Sequence, residues 1–203
     1  MGSGVAVVVA EDAGAEALAR KAAAMRRRAL ETVLAAGKGH LGGSLSCTEI
    51  LVALYHGGVL RFDARRPDWP GRDRFILSKA HGCNTFYCVL EDLGFFPPEH
   101  LEHYLADGSL LSGHTDHRIP GVEILGGSLG HGLGVAAGMA WGARLDGAEH
   151  LVVTLLGDGE SQEGSVWEAA AFASQRRLRN LVALTDRNRL GSEDFTERTA
   201  GLD

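Results

Sequence analysis

The sequence predicts an α/β fold, a parallel sheet with helices on both faces. Two observations predict it. Residues 151–156 and 181–185 are short, largely apolar runs of the kind buried on both faces of a parallel sheet. A helical stretch at 163–176 lies between them, long enough for the crossover that two parallel strands require. Glycine is abundant, 28 of 203 residues with no repeating period, which suggests backbone brought close to a ligand or many tight turns.

The elements follow in order. Residues 1–12 are expected to be a flexible tail and 13–203 a single domain. Residues 13–36 are rich in alanine and charge, with apolar spacing that suits a helix ended by Gly37. Residues 37–46 read as a glycine-rich loop, and 48–55 as a helix with Ser46 as candidate N-cap. Two prolines and many charges make 61–74 a loop before a short buried strand at 75–77. Helices are expected at 83–93 and at 98–106, the second with proline in its first turn. A long histidine-bearing loop covers 112–127, and a helix of small residues covers 131–145. Both 151–156 and 181–185 are expected to be buried strands, and 187–203 a polar loop.

Composition excludes several classes. A share of 45% hydrophobic and 23% charged residues is that of a folded chain. The net charge of -6 gives no basic footprint for nucleic acid. No apolar run reaches the roughly 18 residues of a membrane span. The apolar start lacks the basic region of a secretory signal. Cys47, Cys83 and Cys88 have neither metal-type nor redox-motif spacing, and read as reduced, buried residues of a cytoplasmic protein.

The most informative stretch is strand, Gly157-Asp158-Gly159, helix, strand, Asp186-Arg187-Asn188. A right-handed crossover makes the strands parallel and puts Asp158 and Asn188 just past their carboxyl ends. Neighbouring strands lie about 4.8 Å apart, so both side chains can reach one cation. A carboxylate and an amide oxygen suit Mg²⁺ and leave room for diphosphate oxygens, which Gly159 lets approach the backbone. Gly-Asp-Gly alone is more simply a tight turn. An asparagine 30 residues later, each behind a strand, is far more specific.

With these residues the chain resembles the thiamine-diphosphate enzymes. Within them it is similar to the diphosphate-binding, N-terminal half of the transketolase family. The resemblance is carried by residues 39–46 (GHLGGSLS), 73–81 (DRFILSKAH), Gly113-His114, 121–132 (GVEILGGSLGHG), 157–164 (GDGESQEG), 167–170 (WEAA) and Asp186-Arg187-Asn188. They stand in family order over roughly residues 15 to 192.

The resemblance implies a thiamine-diphosphate-binding (PP-domain) fold, thiamine diphosphate as cofactor, and Mg²⁺, with Ca²⁺ or Mn²⁺ able to substitute. It assigns the metal to Asp158, Asn188 and the carbonyl of Leu190. It assigns cofactor contacts to His81, Gly127, Leu129, Gly159, Glu163 and Asn188. His40, His81 and His114 would line the cofactor and sugar channel and assist proton transfer, work that suits an imidazole titrating near neutrality. His56, His100, His103 and His150 read as ordinary histidines, and His131 replaces the usual glutamine. Glu163 and Glu168 resemble acidic residues at a subunit interface, although Glu168 reads equally as a solvated helix residue beside a buried Trp167. Glu160 reads as a helix-start carboxylate, favourable without any function.

The implied activity is transfer of a two-carbon ketol unit from a ketose or ketose phosphate to an aldose or aldose phosphate. The pyrimidine-binding domain of the family is expected to be absent from the chain. The chain therefore resembles one subunit of a split transketolase paired with a separate pyrimidine-domain (C-terminal) subunit, by analogy a heterotetramer, α2β2. Family members continue past the metal loop with another helix and more strands, so C-terminal elements are expected to be missing. Leu41 stands where relatives carry proline, and Lys79-Ala80-His81 and 189–193 also differ from the usual stretches. Three alternatives stay open. One is a related thiamine enzyme that passes its two-carbon unit to a lipoyl or carrier-protein thiol. Another is a truncated, non-catalytic subunit. The last is a zinc hydrolase built on His114-Thr115-Asp116-His117, a weak metal signal.

Overall fold

The computed structural model describes residues 14–201; the expected tail at 1–12 lies outside the described residues. Helix α1 (Ala15–Ala36) ends at Gly37, whose φ of 69° is the left-handed cap that glycine takes readily. It is followed by α2 (Leu41–Ser46), α3 (Thr48–Tyr55), β1 (Arg74–Leu77), α4 (Cys83–Asp92) and α5 (Glu99–Glu102). The chain then forms α6 (Gly132–Leu145), β2 (Val152–Gly157), α7 (Gly164–Arg176), β3 (Leu181–Asp186) and α8 (Thr196–Thr199).

The strands form one parallel sheet in the order β1-β2-β3. Alternation sends Phe75, Leu77, Val153 and Leu155 to one face, where they join α1, α3 and α4 in the main core. Cys83 to Leu90 of α4 are all buried, as expected of a helix that is enclosed on every side. Rings of Tyr55, Phe62, Phe75, Phe86 and Phe95 fill the space, with neighbouring centroids 5.2–5.8 Å apart. Ile76 and Val152 point to the opposite face, against Ala136, Ala137 and Ala140 of α6. The small side chains let α6 lie close to the sheet. Helices therefore do cover both faces, as the sequence predicts.

Five local expectations are corrected. The stretch 37–46 is not wholly loop, because α2 forms over its second half. Ser46 does not cap α3: Cys47 stands at that N-cap without a side-chain bond, and the Ser46 hydroxyl turns to Asp186 instead. The helix expected at 98–106 is a single turn, α5, and Leu105 adopts a left-handed φ of 59° as its N–H donates to Leu111 O. The polar stretch after β3 contains α8 and a bridge between Leu190 and Phe195.

The fifth correction concerns β3. It was expected to be buried, yet Val182, Ala183 and Thr185 are exposed. β3 is an edge strand, and composition reports a preference for burial without fixing what lies alongside.

Candidate active site

The site lies where all three strands end. β1 leads into Ser78-Lys79-Ala80-His81, β2 into Asp158-Gly159-Glu160, and β3 into Arg187-Asn188. Gly157 and Asp186 are register partners, so the last two loops leave the sheet side by side. The carboxyl ends of parallel strands are the usual ligand edge of such sheets.

Asp158 is 1% exposed. Its Oδ1 accepts from Gly159 N at 2.9 Å and its Oδ2 from Arg189 N at 2.6 Å. Arg187 Nη1 lies 3.6 Å from the same Oδ2, while Nη2 bonds Glu197. Arg189 holds φ at 65°, a left-handed value that costs an ordinary residue about 1–2 kcal/mol. That turn sends its N–H to Asp158 and brings the Leu190 carbonyl over Gly159. Leu190 O stands 3.9 Å from where a Gly159 Cβ would be, and Gly191 Cα 3.6 Å. Asn188 Oδ1 accepts from Leu190 N at 2.9 Å. One carboxylate, one amide oxygen and one carbonyl thus stand on two adjacent loops. This donor set is all hard oxygen and fits Mg²⁺ or Ca²⁺. No cluster of three His, Cys, Asp or Glu suited to a metal occurs among the described residues.

Beneath Asn188 is a buried network. The Lys79 ammonium, fully buried, pairs with Asp186 and donates to Ser46 Oγ at 3.1 Å. Ser46 Oγ donates to Asp186 Oδ2 at 2.6 Å, and Asn188 Nδ2 lies 3.4 Å from that same oxygen. With its amide nitrogen turned to the network, Asn188 keeps its oxygen on the loop side.

Three histidines converge beside it. The ring centroid of His40 is 6.1 Å from that of His81 and 5.4 Å from that of His114. Burial, then the Lys79 charge and the two other imidazoles, pushes His81 down to about 4. Burial, then His40, lowers His114. His81 is seated by Gly43: a Cβ there would stand 2.4 Å from its Cδ2. The His114 carbonyl accepts from Tyr87 Oη at 2.6 Å and Ser112 Oγ at 2.8 Å, which fixes the loop that carries it.

The loop 126–130 closes one side. Gly127, at φ 136°, lies against His114, whose Cδ2 is 3.6 Å from where its Cβ would be. Leu129 is 39% exposed, and its carbonyl lies 3.1 Å from His131 Nδ1. Glu163 is exposed beside Gly130, close enough that a Cβ on Gly130 would stand 2.7 Å from its own.

The loops that carry Asp158, Gly159, Asn188, Leu190, His40, His81, His114 and Gly127 lie at this end of the sheet, with Leu129 and Glu163 on exposed positions beside them. The structure scatters the rival metal set. Asp116 is taken by Arg118, whose guanidinium holds its carboxyl down to about 2, and His117 stands 3.8 Å from it on the outside. Trp167, expected to be buried, is 62% exposed and donates Nε1–H to Ser161 O, so Glu168 stands on an open helix face. Burial raises the thiols to about 11 for Cys47 and about 12 for Cys83 and Cys88, which makes them poor nucleophiles. Among the described residues no helix is long and apolar enough to cross a membrane.

Sequence reasoning missed the roles of Lys79, Asp186, Ser46 and Glu160. Lys79 and Asp186 stand inside the family motifs, but their pairing spans 107 positions and only folding reveals it.

Residues 18–201 match the family model described as transketolase, thiamine diphosphate binding domain. The chain is 41% identical over 187 residues to the 6-deoxy-6-sulfo-D-fructose transketolase subunit of Clostridium sp. (strain MSTE9), with 92% of this chain and 68% of that protein covered. It is 44% identical to an apulose-4-phosphate transketolase subunit of Phocaeicola vulgatus, with 88% and 63% covered. Among solved structures, transketolase from Leishmania mexicana superposes with a TM-score of 0.86 at 29% identity, over 91% of this chain and 29% of that one. The chain thus spans about two thirds of the two subunits and under a third of the longer enzyme.

Proposed function

The chain belongs to the transketolase family through its thiamine diphosphate-binding domain, and on that premise we propose that it is one subunit of a split transketolase. It transfers a two-carbon ketol unit from a ketose or ketose phosphate to an aldose or aldose phosphate. A separate subunit supplies the pyrimidine-binding domain, in an α2β2 assembly. Two relatives named as subunits of transketolases support this organisation. Their named sugars end in a sulfonate or a phosphate, which supports an anionic sugar as substrate here. Three buried thiols support a cytoplasmic setting. Residues 13–203 form the PP domain.

The observation that carries this reading is the meeting of the oxygen donors of Asp158, Asn188 and Leu190 with the His40–His81–His114 cluster at one sheet edge. When bound, thiamine diphosphate supplies the carbon-carbon bond chemistry that side chains cannot. The protein's residues do the rest. Asp158, Asn188 Oδ1 and the Leu190 carbonyl would hold the divalent cation, and Gly159 would leave the diphosphate room beside the backbone. The backbone of Gly127 and Leu129 bounds the pyrimidine side, and Glu163 faces the partner subunit. His40 and His114 exchange protons with sugar hydroxyls. His81, held neutral by burial and by Lys79, is poised to bond the diphosphate or a hydroxyl without adding charge.

Calorimetric titration with thiamine diphosphate and Mg²⁺ tests the reading, on the chain alone and mixed with a candidate pyrimidine-domain subunit. Binding that tightens in the mixture and disappears in Asp158→Ala is expected. Turnover of a ketose phosphate with an aldose acceptor then separates ketol transfer from transfer to a carrier thiol. A folded chain that binds nothing in either setting refutes the proposal.

A further inference from the structure

Glu160 follows the metal-side glycine, and its side chain does not stay at the start of its own helical turn. It is 2% exposed. Oε2 accepts from Gly157 N at 3.0 Å, and Oε1 accepts from Gly130 N at 2.9 Å and from the Ser78 hydroxyl. The three donors come from the end of β2, the loop 126–130 and the end of β1. One carboxylate therefore joins the loop that carries Asp158 to the loop that carries Gly127 and Leu129.

The second loop needs such a tie. Gly127 and Gly130 hold φ at 136° and 82°, values that glycine does not favour over many others, so local preference does not fix them. Gly130 is held on both sides of its Cα: its N–H by Glu160, and its carbonyl by Ser165 Oγ at 3.0 Å. Gly126 is anchored separately by its N–H to Thr115 O at 2.9 Å. Among the described residues, the Glu160 tie is the hydrogen bond that runs directly from this loop to the strand end bearing the metal loop.

We infer that Glu160 is a positioning residue that sets the span between the metal-side loop and the pyrimidine-side loop. It thereby governs how the cofactor fits as a whole, and not how its diphosphate end is held. This rests on the thiamine diphosphate reading of the site. A carboxylate suits the task because it offers acceptors only, and all three of its neighbours are donors. Glutamine at this position has one oxygen. With that oxygen kept on the Gly157 N–H, the amide N–H₂ is turned against the Gly130 N–H and leaves two donors facing each other on the pyrimidine side, while the metal-side bond survives.

The test compares two probes, thiamine diphosphate and inorganic diphosphate, each with Mg²⁺, by calorimetry on the chain paired with its candidate pyrimidine-domain subunit. Glu160→Gln is expected to weaken thiamine diphosphate by about tenfold while inorganic diphosphate changes by less than about twofold. Ser78→Ala, which removes one donor and leaves the other two bonds in place, is expected to lower the same selectivity by about threefold. Equal weakening of both probes would reduce Glu160 to a general structural role and overturn the inference, as would no change in either. If Glu160→Gln does not fold, Ser78→Ala decides: selective loss supports the inference and unchanged selectivity overturns it. Failure of the wild-type assembly to bind thiamine diphosphate while it is folded refutes the cofactor reading itself, and the inference with it.

Discussion

The buried ammonium of Lys79 pairs with the carboxylate of Asp186 across the ends of β1 and β3, two strands separated by β2. The pair ties the loop of His81 to the loop of Asn188, and Ser46 of α2 completes it. Removing one member of a buried pair leaves the other charge without compensation. Lys79→Met is expected to destabilise the fold by about 3–5 kcal/mol. Urea denaturation followed by circular dichroism measures this; a loss under about 1 kcal/mol would show that the pair does not hold the strand ends together.

Gly43 gives His81 its place. A methyl at position 43 would stand 2.4 Å from His81 Cδ2, and an imidazole ring cannot flex away as a long side chain does. Gly43→Ala gains helix propensity of about 1 kcal/mol in α2 but must displace the ring. We expect a folded variant with kcat/KM reduced by at least about tenfold, or about 1.4 kcal/mol. Wild-type activity would mean that the ring position is unimportant.

His81 also makes a pH prediction. Its ordinary value of 6.5 is lowered to about 4 in the folded chain. The unfolded imidazole takes up a proton as pH falls through 6.5, whereas the folded one stays neutral until about 4. Stability from this group is therefore complete above 6.5 and is lost as pH falls toward 4. In NMR titration the His81 Cε1–H shift should stay flat from about pH 8 to about 5. Titration near the ordinary value would disprove the arrangement.

β3 makes a prediction about association. Val182 is 38% exposed on an edge strand whose run 181–185 carries no charge or proline to discourage pairing. Val182→Lys should lower concentration-dependent light scattering of the isolated chain with little change in melting temperature. Unaltered scattering would clear this edge of blame.

The strand–turn–helix–strand order, the parallel sheet and the placing of Asp158 and Asn188 just beyond neighbouring strand ends were all legible in sequence. Each follows from short-range pattern: apolar runs, a crossover helix between them, and polar residues placed just beyond each run. The three histidines were legible as candidates through the motifs around them, but not as a cluster. The burial of β3 was misread because apolar character states a preference and not a neighbour. Trp167 was misread for the same reason. The short helix at 98–106 was overextended because proline marks a helix start and says nothing of where it ends.

Which chemistry is present can be read along the chain: hard oxygen donors and a glycine just past two strands, and imidazoles inside glycine-bearing motifs. Tertiary structure alone decided which of these meet. Glu160 became a junction of three loops, and Lys79 and Asp186 became partners, because separate strand ends were brought to one edge of the sheet. Buried polar groups must find partners, and the partners available are set by packing in three dimensions, which no local spacing encodes.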